Sequence, residues 1–89
     1  MYPVVIHRRA VRYLKKLPQD QQARIKHVLN EMSNDPFRLS NVKNMVGDWA
    51  GYQRMRVGST RIIFWVDKDK KIIYVDHVGP RGDVYKGGT

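Results

Sequence analysis

The sequence predicts an α+β fold for a single domain over residues 1–89: a short N-terminal strand and an αα-hairpin packed on a small, mainly antiparallel sheet. Three observations predict it. Tyr52 to Trp65, YQRMRVGSTRIIFW, alternates in character about a Gly58-Ser59 turn, as a β-hairpin does. Two consecutive runs, Arg8–Leu17 and Gln19–Ser33, repeat apolar residues at helical spacing and meet at Pro18. Such a helix pair packs on a sheet far more readily than it stands alone. Finally, Tyr2–Ile6 and Ile72–Val78 are short runs rich in β-branched residues.

Taken in order, YPVVI at Tyr2–Ile6 is the first strand, and Pro3 places it at a sheet edge or at the start of a strand. In the first helix Ala10, Val11, Leu14 and Leu17 form the apolar stripe, with Arg8, Arg9, Arg12, Lys15 and Lys16 mostly elsewhere on the wheel. Pro18 ends that helix and suits the first position of the next. Asp20 then lies in the first turn, where the helix dipole favours an acid. Ile25, Val28, Leu29 and Met32 form the second stripe, and Ser33-Asn34-Asp35-Pro36 stops the helix. His27, beside that stripe, is a boundary residue. Phe37–Gly51 has no clear period and is a connecting loop; its Phe37, Leu39, Val42, Met45, Val46 and Trp49 predict that it packs down on the domain. Trp49 fits the edge of the core better than a base-stacking role.

The hairpin carries most of the information. Gly at the first of two turn residues suits a type II′ turn. That turn sets Val57 opposite Thr60, Arg56 opposite Arg61, Met55 opposite Ile62, Arg54 opposite Ile63 and Tyr52 opposite Trp65. Opposed residues share a face, as do residues two apart. One face therefore holds Tyr52, Arg54, Arg56, Arg61, Ile63 and Trp65; the other holds Met55, Val57, Ile62, Phe64 and Val66 and is a core face. Like charges directly opposite cost up to ~1 kcal/mol, so the arginine face is harder to explain by structure alone. After a polar turn at Asp67-Lys68-Asp69-Lys70, an even turn length would send Ile73, Val75 and His77 to the core face and Tyr74 and Asp76 to the arginine face, with Asp76 near Arg61. An odd turn would reverse this. The even register buries His77, which is then a satisfied core or edge histidine rather than a general base.

Formal net charge is +9 and the pI is about 10.2. A small domain this basic meets a polyanion, with nucleic acid ahead of an acidic protein and of an anionic membrane. There is no cysteine, which removes disulfides, zinc–thiolate sites and cysteine nucleophiles and suits a reducing, cytoplasmic setting. The eight acids are scattered and the three histidines lie far apart, so no metal-ligand spacing and no cofactor motif is present in the sequence.

The order of a short strand, a helical hairpin with LPQDQQARI, then GYQRMRVGSTRIIFWV and a strand closing in VGPRGDVY is similar to the RelE side of the RelE/ParE toxin superfamily of toxin–antitoxin pairs. The resemblance covers nearly the whole chain. Its most specific parts are the YxRxRVGxxR hairpin and the VGxRxxVY close. It implies an antiparallel sheet with two helices on one face, as in small microbial ribonucleases, and an endoribonuclease that cuts messenger RNA in the ribosomal A site without a metal. It implies that Arg54 and Arg56 bind RNA and that Arg61, Arg81 and Tyr85 are catalytic. Relatives with lysines in the first pair have arginines here. Relatives that use a histidine beside the terminal tyrosine are not matched, because Lys86 follows Tyr85. The family's C-terminal helix is missing or reduced to the Lys86-Gly87-Gly88-Thr89 tail. The implied partners are a cognate antitoxin that folds on the toxin, the ribosome and its mRNA, and operator DNA reached through the antitoxin.

The chemistry agrees with those residue types. In-line attack of a 2′-hydroxyl on a phosphodiester puts negative charge on the non-bridging oxygens, and fork-shaped guanidinium groups answer it. Tyrosine titrates near ~10 in water, and neighbouring positive charge favours the phenolate that a base must be. Arg81 gives up a proton reluctantly, so it fits charge stabilisation better than acid catalysis. Two alternatives stay open at the level of sequence: a ParE-like inhibitor of DNA gyrase without nuclease chemistry, and a weak RNA-binding relative in which the arginines are only an electrostatic patch.

Overall fold

The Gly58-Ser59 turn fixes the centre of the sheet. In the computed structural model, which describes residues 1–80, Gly58 has a φ of +60°, as the first position of a II′ turn requires. It joins β3, Gln53–Val57, to β4, Thr60–Asp67. The register is the one the turn dictates: Val57 opposite Thr60, Arg56 opposite Arg61, Met55 opposite Ile62 and Arg54 opposite Ile63. Tyr52 lies one residue before β3, so its expected pairing with Trp65 falls just outside the ladder.

Around this hairpin the chain adds β1 (Val4–Ile6), α1 (Arg8–Lys15), α2 (Gln19–Asn34), β2 (Val42–Asn44), a 3₁₀ turn at Gly47–Trp49 and β5 (Ile72–Pro80). The sheet order is β1-β5-β4-β3-β2. β1 runs parallel to β5, and the other three pairings are antiparallel. Pro3 sits just ahead of β1, an edge strand, where its missing N–H costs no ladder bond.

The helices cover one face. Ala10 of α1 and Ile25, Val28 and Met32 of α2 bury against Met55, Val57, Ile62, Phe64, Ile73, Val75 and Val78 of the sheet. Leu14, Leu17, Leu29 and Val66 pack around them. Local hydrogen bonds set the helix ends. The His7 Nδ1 accepts the Arg9 N–H at 3.1 Å and caps α1. Pro18 is the cap of α2 rather than its first residue, and Gln22 Nε2 donates to the Leu17 carbonyl at 2.8 Å, closing the corner. The Tyr2 N–H donates to the Ser33 carbonyl and the Ser33 hydroxyl donates to the Tyr2 carbonyl, both at 2.7 Å. These two bonds tie the start of the chain to the end of α2.

Several expectations need correction. Four residues separate Asp67 from its partner Ile72, so the turn is even, and Ile73 and Val75 do face the core. A β-bulge then intervenes: Phe64 pairs with Val75 but Ile63 pairs with His77, leaving Asp76 as the extra residue. The bulge flips the alternation, so Val78 takes the core position opposite Ile62 and His77 joins the arginine face. Secondly, Arg61 faces Gly79, not Asp76. Asp76 Oδ2 lies 2.6 Å from His77 Nδ1, and Asp76 Oδ1 lies 4.0 Å from the Arg9 guanidinium. Finally, Phe37–Gly51 is only partly packed: Leu39 and Val42 lie on the core, but Phe37 is 57% exposed and Val46 84% exposed. β2 is an edge strand of three residues, with too little length to hold the whole segment down. His27 is exposed, 3.5 Å from Glu31, and so stands on the solvent side of α2 rather than at the boundary expected of it. No helix among the described residues is long and apolar enough to cross a membrane. The expectations for Arg81, Tyr85 and the Lys86–Thr89 tail lie outside the described residues.

Gly58→Ala tests the turn. A Cβ there is held in the left-handed region and would meet the Arg24 Nη1 at 3.0 Å. The expected loss is ~1–2 kcal/mol of stability, read as a lower urea midpoint with an unchanged denaturant slope.

Candidate nucleic-acid interface

Because the helices take the face of Met55, Ile62 and Phe64, residues one position away along β3 and β4 turn to the opposite face, which no helix among the described residues covers. Two cross-strand rows lie there. In one, Lys43 of β2 pairs with Arg54 of β3, which pairs with Ile63 of β4, which pairs with His77 of β5. In the next, Arg56 pairs with Arg61, which pairs with Gly79. Asn41, with a φ of +60°, turns the chain into β2; asparagine is among the residues that tolerate this conformation.

Asn41, Lys43, Arg54, Met55, Arg56 and Arg61 line a cavity of about 320 Å³. Four of the six carry a positive charge. Arg61 is only 6% exposed, Arg54 is half-buried, and Lys43 and Arg56 are exposed. Arginine is rarely so deeply buried, and burial fixes the direction in which the Arg61 guanidinium points. The arrangement is a concave surface with one buried cation, Arg61, beside a half-buried one, Arg54, and two exposed ones, Lys43 and Arg56. Such a site suits a phosphodiester, whose oxygens accept paired N–H bonds from a guanidinium.

The structure thus brings together Arg54, Arg56 and Arg61, as the hairpin pattern predicts, and adds Lys43 and Asn41, which the sequence did not point to. Lys43 stands in a three-residue strand, too short to show alternation. Arg81 and Tyr85 fall outside the described residues.

Aromatic side chains occupy the rest of this face. Trp49 does not close the edge of the core. Its ring meets those of Tyr52 and His77 edge-on, each at 5.0 Å, so it reaches from the start of β3 to β5. Ile63, between Arg54 and His77 in the ladder, is fully buried although it points away from the helices. The His77 Nδ1 is buried and its close approach to Asp76 is off the line of a hydrogen bond. His77 does not line the basic cavity among the described residues.

The chain is similar to known proteins over most of its length. The family described as ParE toxin of type II toxin-antitoxin system, parDE, matches residues 4–85. A Methanocaldococcus jannaschii protein designated toxin RelE1 is 28% identical over 87 residues, which span 96% of each chain. A chain of the archaeal RelE–RelB complex from Pyrococcus horikoshii OT3 superposes with a TM-score of 0.80 at 28% identity, covering 92% of this chain and 97% of that one. A chain of the RelBE2 toxin–antitoxin complex from Mycobacterium tuberculosis gives 0.78 at 26% identity, covering 90% and 98%. The family bears the ParE name and these relatives bear the RelE name, two branches of one superfamily with a shared fold. The chain belongs to the RelE/ParE superfamily, the toxins of type II toxin–antitoxin systems.

Proposed function

We propose that this toxin is a ribosome-dependent endoribonuclease that cuts messenger RNA in the A site. The observation that supports it is the convergence of Lys43, Arg54, Arg56 and Arg61 on one cavity of the open sheet face. In this reading the 2′-hydroxyl of the nucleotide before the cut attacks the adjacent phosphorus. Its proton passes to the Tyr85 phenolate, the P–O5′ bond breaks, and the departing O5′ takes a proton from water, giving a 2′,3′-cyclic phosphate and a 5′-hydroxyl. Arg61 and Arg81 answer the charge that grows on the non-bridging oxygens, while Arg54, Arg56 and Lys43 hold the backbone on either side. Guanidinium groups supply the positive charge, and the mechanism uses no metal. A tyrosine is a weak base, so much of the rate must come from the placement of the 2′-hydroxyl in line with the leaving oxygen. In this reading the ribosome supplies that placement.

The likeness to toxins solved in complex with RelB supports a cognate antitoxin as partner for this chain. With a net charge of +9, the natural inhibitor is an acidic segment that folds over the basic face. Operator DNA is reached through that antitoxin. The match to the ParE family favours one second reading, inhibition of DNA gyrase with no cleavage. The two separate cleanly on programmed ribosomes and in a supercoiling assay.

Arg61→Ala lowers single-turnover cleavage on ribosomes by about 10²–10³-fold if the side chain acts as an oxyanion donor; a loss under tenfold contradicts the role. Tyr85→Phe keeps the ring and removes the proton acceptor, so cleavage at the wild-type rate by that variant rules out Tyr85 as the base. Lys43→Ala raises the concentration of toxin needed for half-maximal cleavage and leaves the saturated rate within a few-fold. A fall confined to the saturated rate instead places Lys43 in the chemical step.

A further inference from the structure

The open face is chemically divided. Its basic rows lie toward the Gly58 end of the hairpin. Toward the other end lies an aromatic row that the basic cavity does not include: Trp65 of β4 pairs with Tyr74 of β5, which pairs with Val5 of β1. The Trp65 and Tyr74 rings are stacked, with centroids 4.7 Å apart and planes 19° from parallel. Both are partly exposed, and Val5 at the sheet edge is 49% exposed. Neither ring belongs to the core cluster under the helices. Tyr52 lies on the same side of the hairpin, two residues from Arg54.

We propose that Trp65 and Tyr74 form a base-stacking platform for single-stranded RNA whose phosphates occupy the basic cavity. The inference rests on the nuclease reading only for the identity of the strand. Its warrant is the pairing of two features on one surface. Aromatic rings partly exposed on a sheet bind unpaired bases by stacking, and they do so best beside a cationic track for the backbone. Arg61 and Trp65 are four residues apart on one strand, about 13 Å at the rise of a β-strand. A short run of nucleotides bridges that distance, so a strand held at Arg61 by a phosphate reaches the platform a little further along. Phosphate contacts position such a strand without reading it, and stacking adds the affinity for bases that phosphates cannot supply. Charge complementarity favours RNA over an apolar protein segment here, because the aromatic row adjoins the four cations of the cavity on the same side of the sheet.

The test is binding of the purified full chain to a labelled short single-stranded RNA and to the same chain of ribose phosphates without bases, across a salt series. Wild type is expected to bind the RNA roughly tenfold more tightly than the abasic strand at equal salt, with quenching of tryptophan emission by the RNA alone. Trp65→Leu/Tyr74→Leu loses that preference and keeps the salt slope; Lys43→Ala keeps the preference and lowers the slope by about one phosphate contact. Equal wild-type affinity for the two strands, without quenching, overturns the proposal whether or not the variant folds. So does a folded double variant that binds RNA as wild type does, and a weaker hold on the antitoxin in that variant would identify the row as a protein-docking surface. Base preference in a protein that fails to cut mRNA on ribosomes leaves the platform standing and removes the nuclease reading.

Discussion

The register of one hairpin governs the molecule. A slip of one residue between β3 and β4 would turn one strand over against the other: if β3 moves, Arg54 and Arg56 go under the helices and Met55 and Val57 into water. Magnitudes decide the matter. Burying each large apolar side chain is worth about 1.5–3 kcal/mol, and several are buried at once. Setting Arg56 opposite Arg61 costs at most ~1 kcal/mol. The core therefore holds the cations together against their own repulsion, and the binding surface is organised by the packing on its far side. Arg61 shows the coupling most clearly. It sits beside Ile62 in the best-buried strand, and its fixed position follows from the packing of its neighbours.

Much of this was legible in the sequence, because the hairpin states its own register. Gly58 names the turn, alternation names the faces, and three arginines then fall on one side. The helix pair was equally legible: its stripes at Ala10, Leu14, Ile25, Val28 and Met32 are those that pack on the sheet. Legibility failed where one residue decides the outcome. The bulge at Asp76 shows in IIYVDHV only as two consecutive polar residues, Asp76-His77, where alternation has one, yet it moves His77 from the core face to the arginine face. β2 failed for a different reason. Three residues cannot display a period, so Lys43 looked like loop and proved to be part of the cationic row. Trp49 was misplaced because its neighbours Tyr52 and His77 are set by the hairpin and the bulge, and not by anything near it in the chain.

Function in this fold comes from dividing labour between the two faces. One face is a closed apolar contact that gives rigidity, and the other is left uncovered by the helices and carries charge and aromatic rings. On the proposed reading, in which a large ribonucleoprotein presents the substrate, the toxin needs little deep-pocket recognition of its own. It needs a preorganised cationic floor, a rim that tolerates an extended strand, and a surface that an acidic partner can neutralise. The shallow cavity around Arg61 meets those needs, and the high net charge speeds encounter with any polyanion.

Whether this basic face cuts messenger RNA held by the ribosome is decided with the unaltered protein. Ribosomes programmed with a defined mRNA are mixed with purified toxin in a chelator of divalent ions just sufficient to leave the ribosome intact, and both new RNA ends are mapped and their end groups identified. The expected result is one cut within the A-site codon, a 2′,3′-cyclic phosphate upstream and a 5′-hydroxyl downstream, and no cut in the same mRNA free in solution. Intact mRNA on the ribosome, or a cut that leaves a 5′-phosphate, would contradict it.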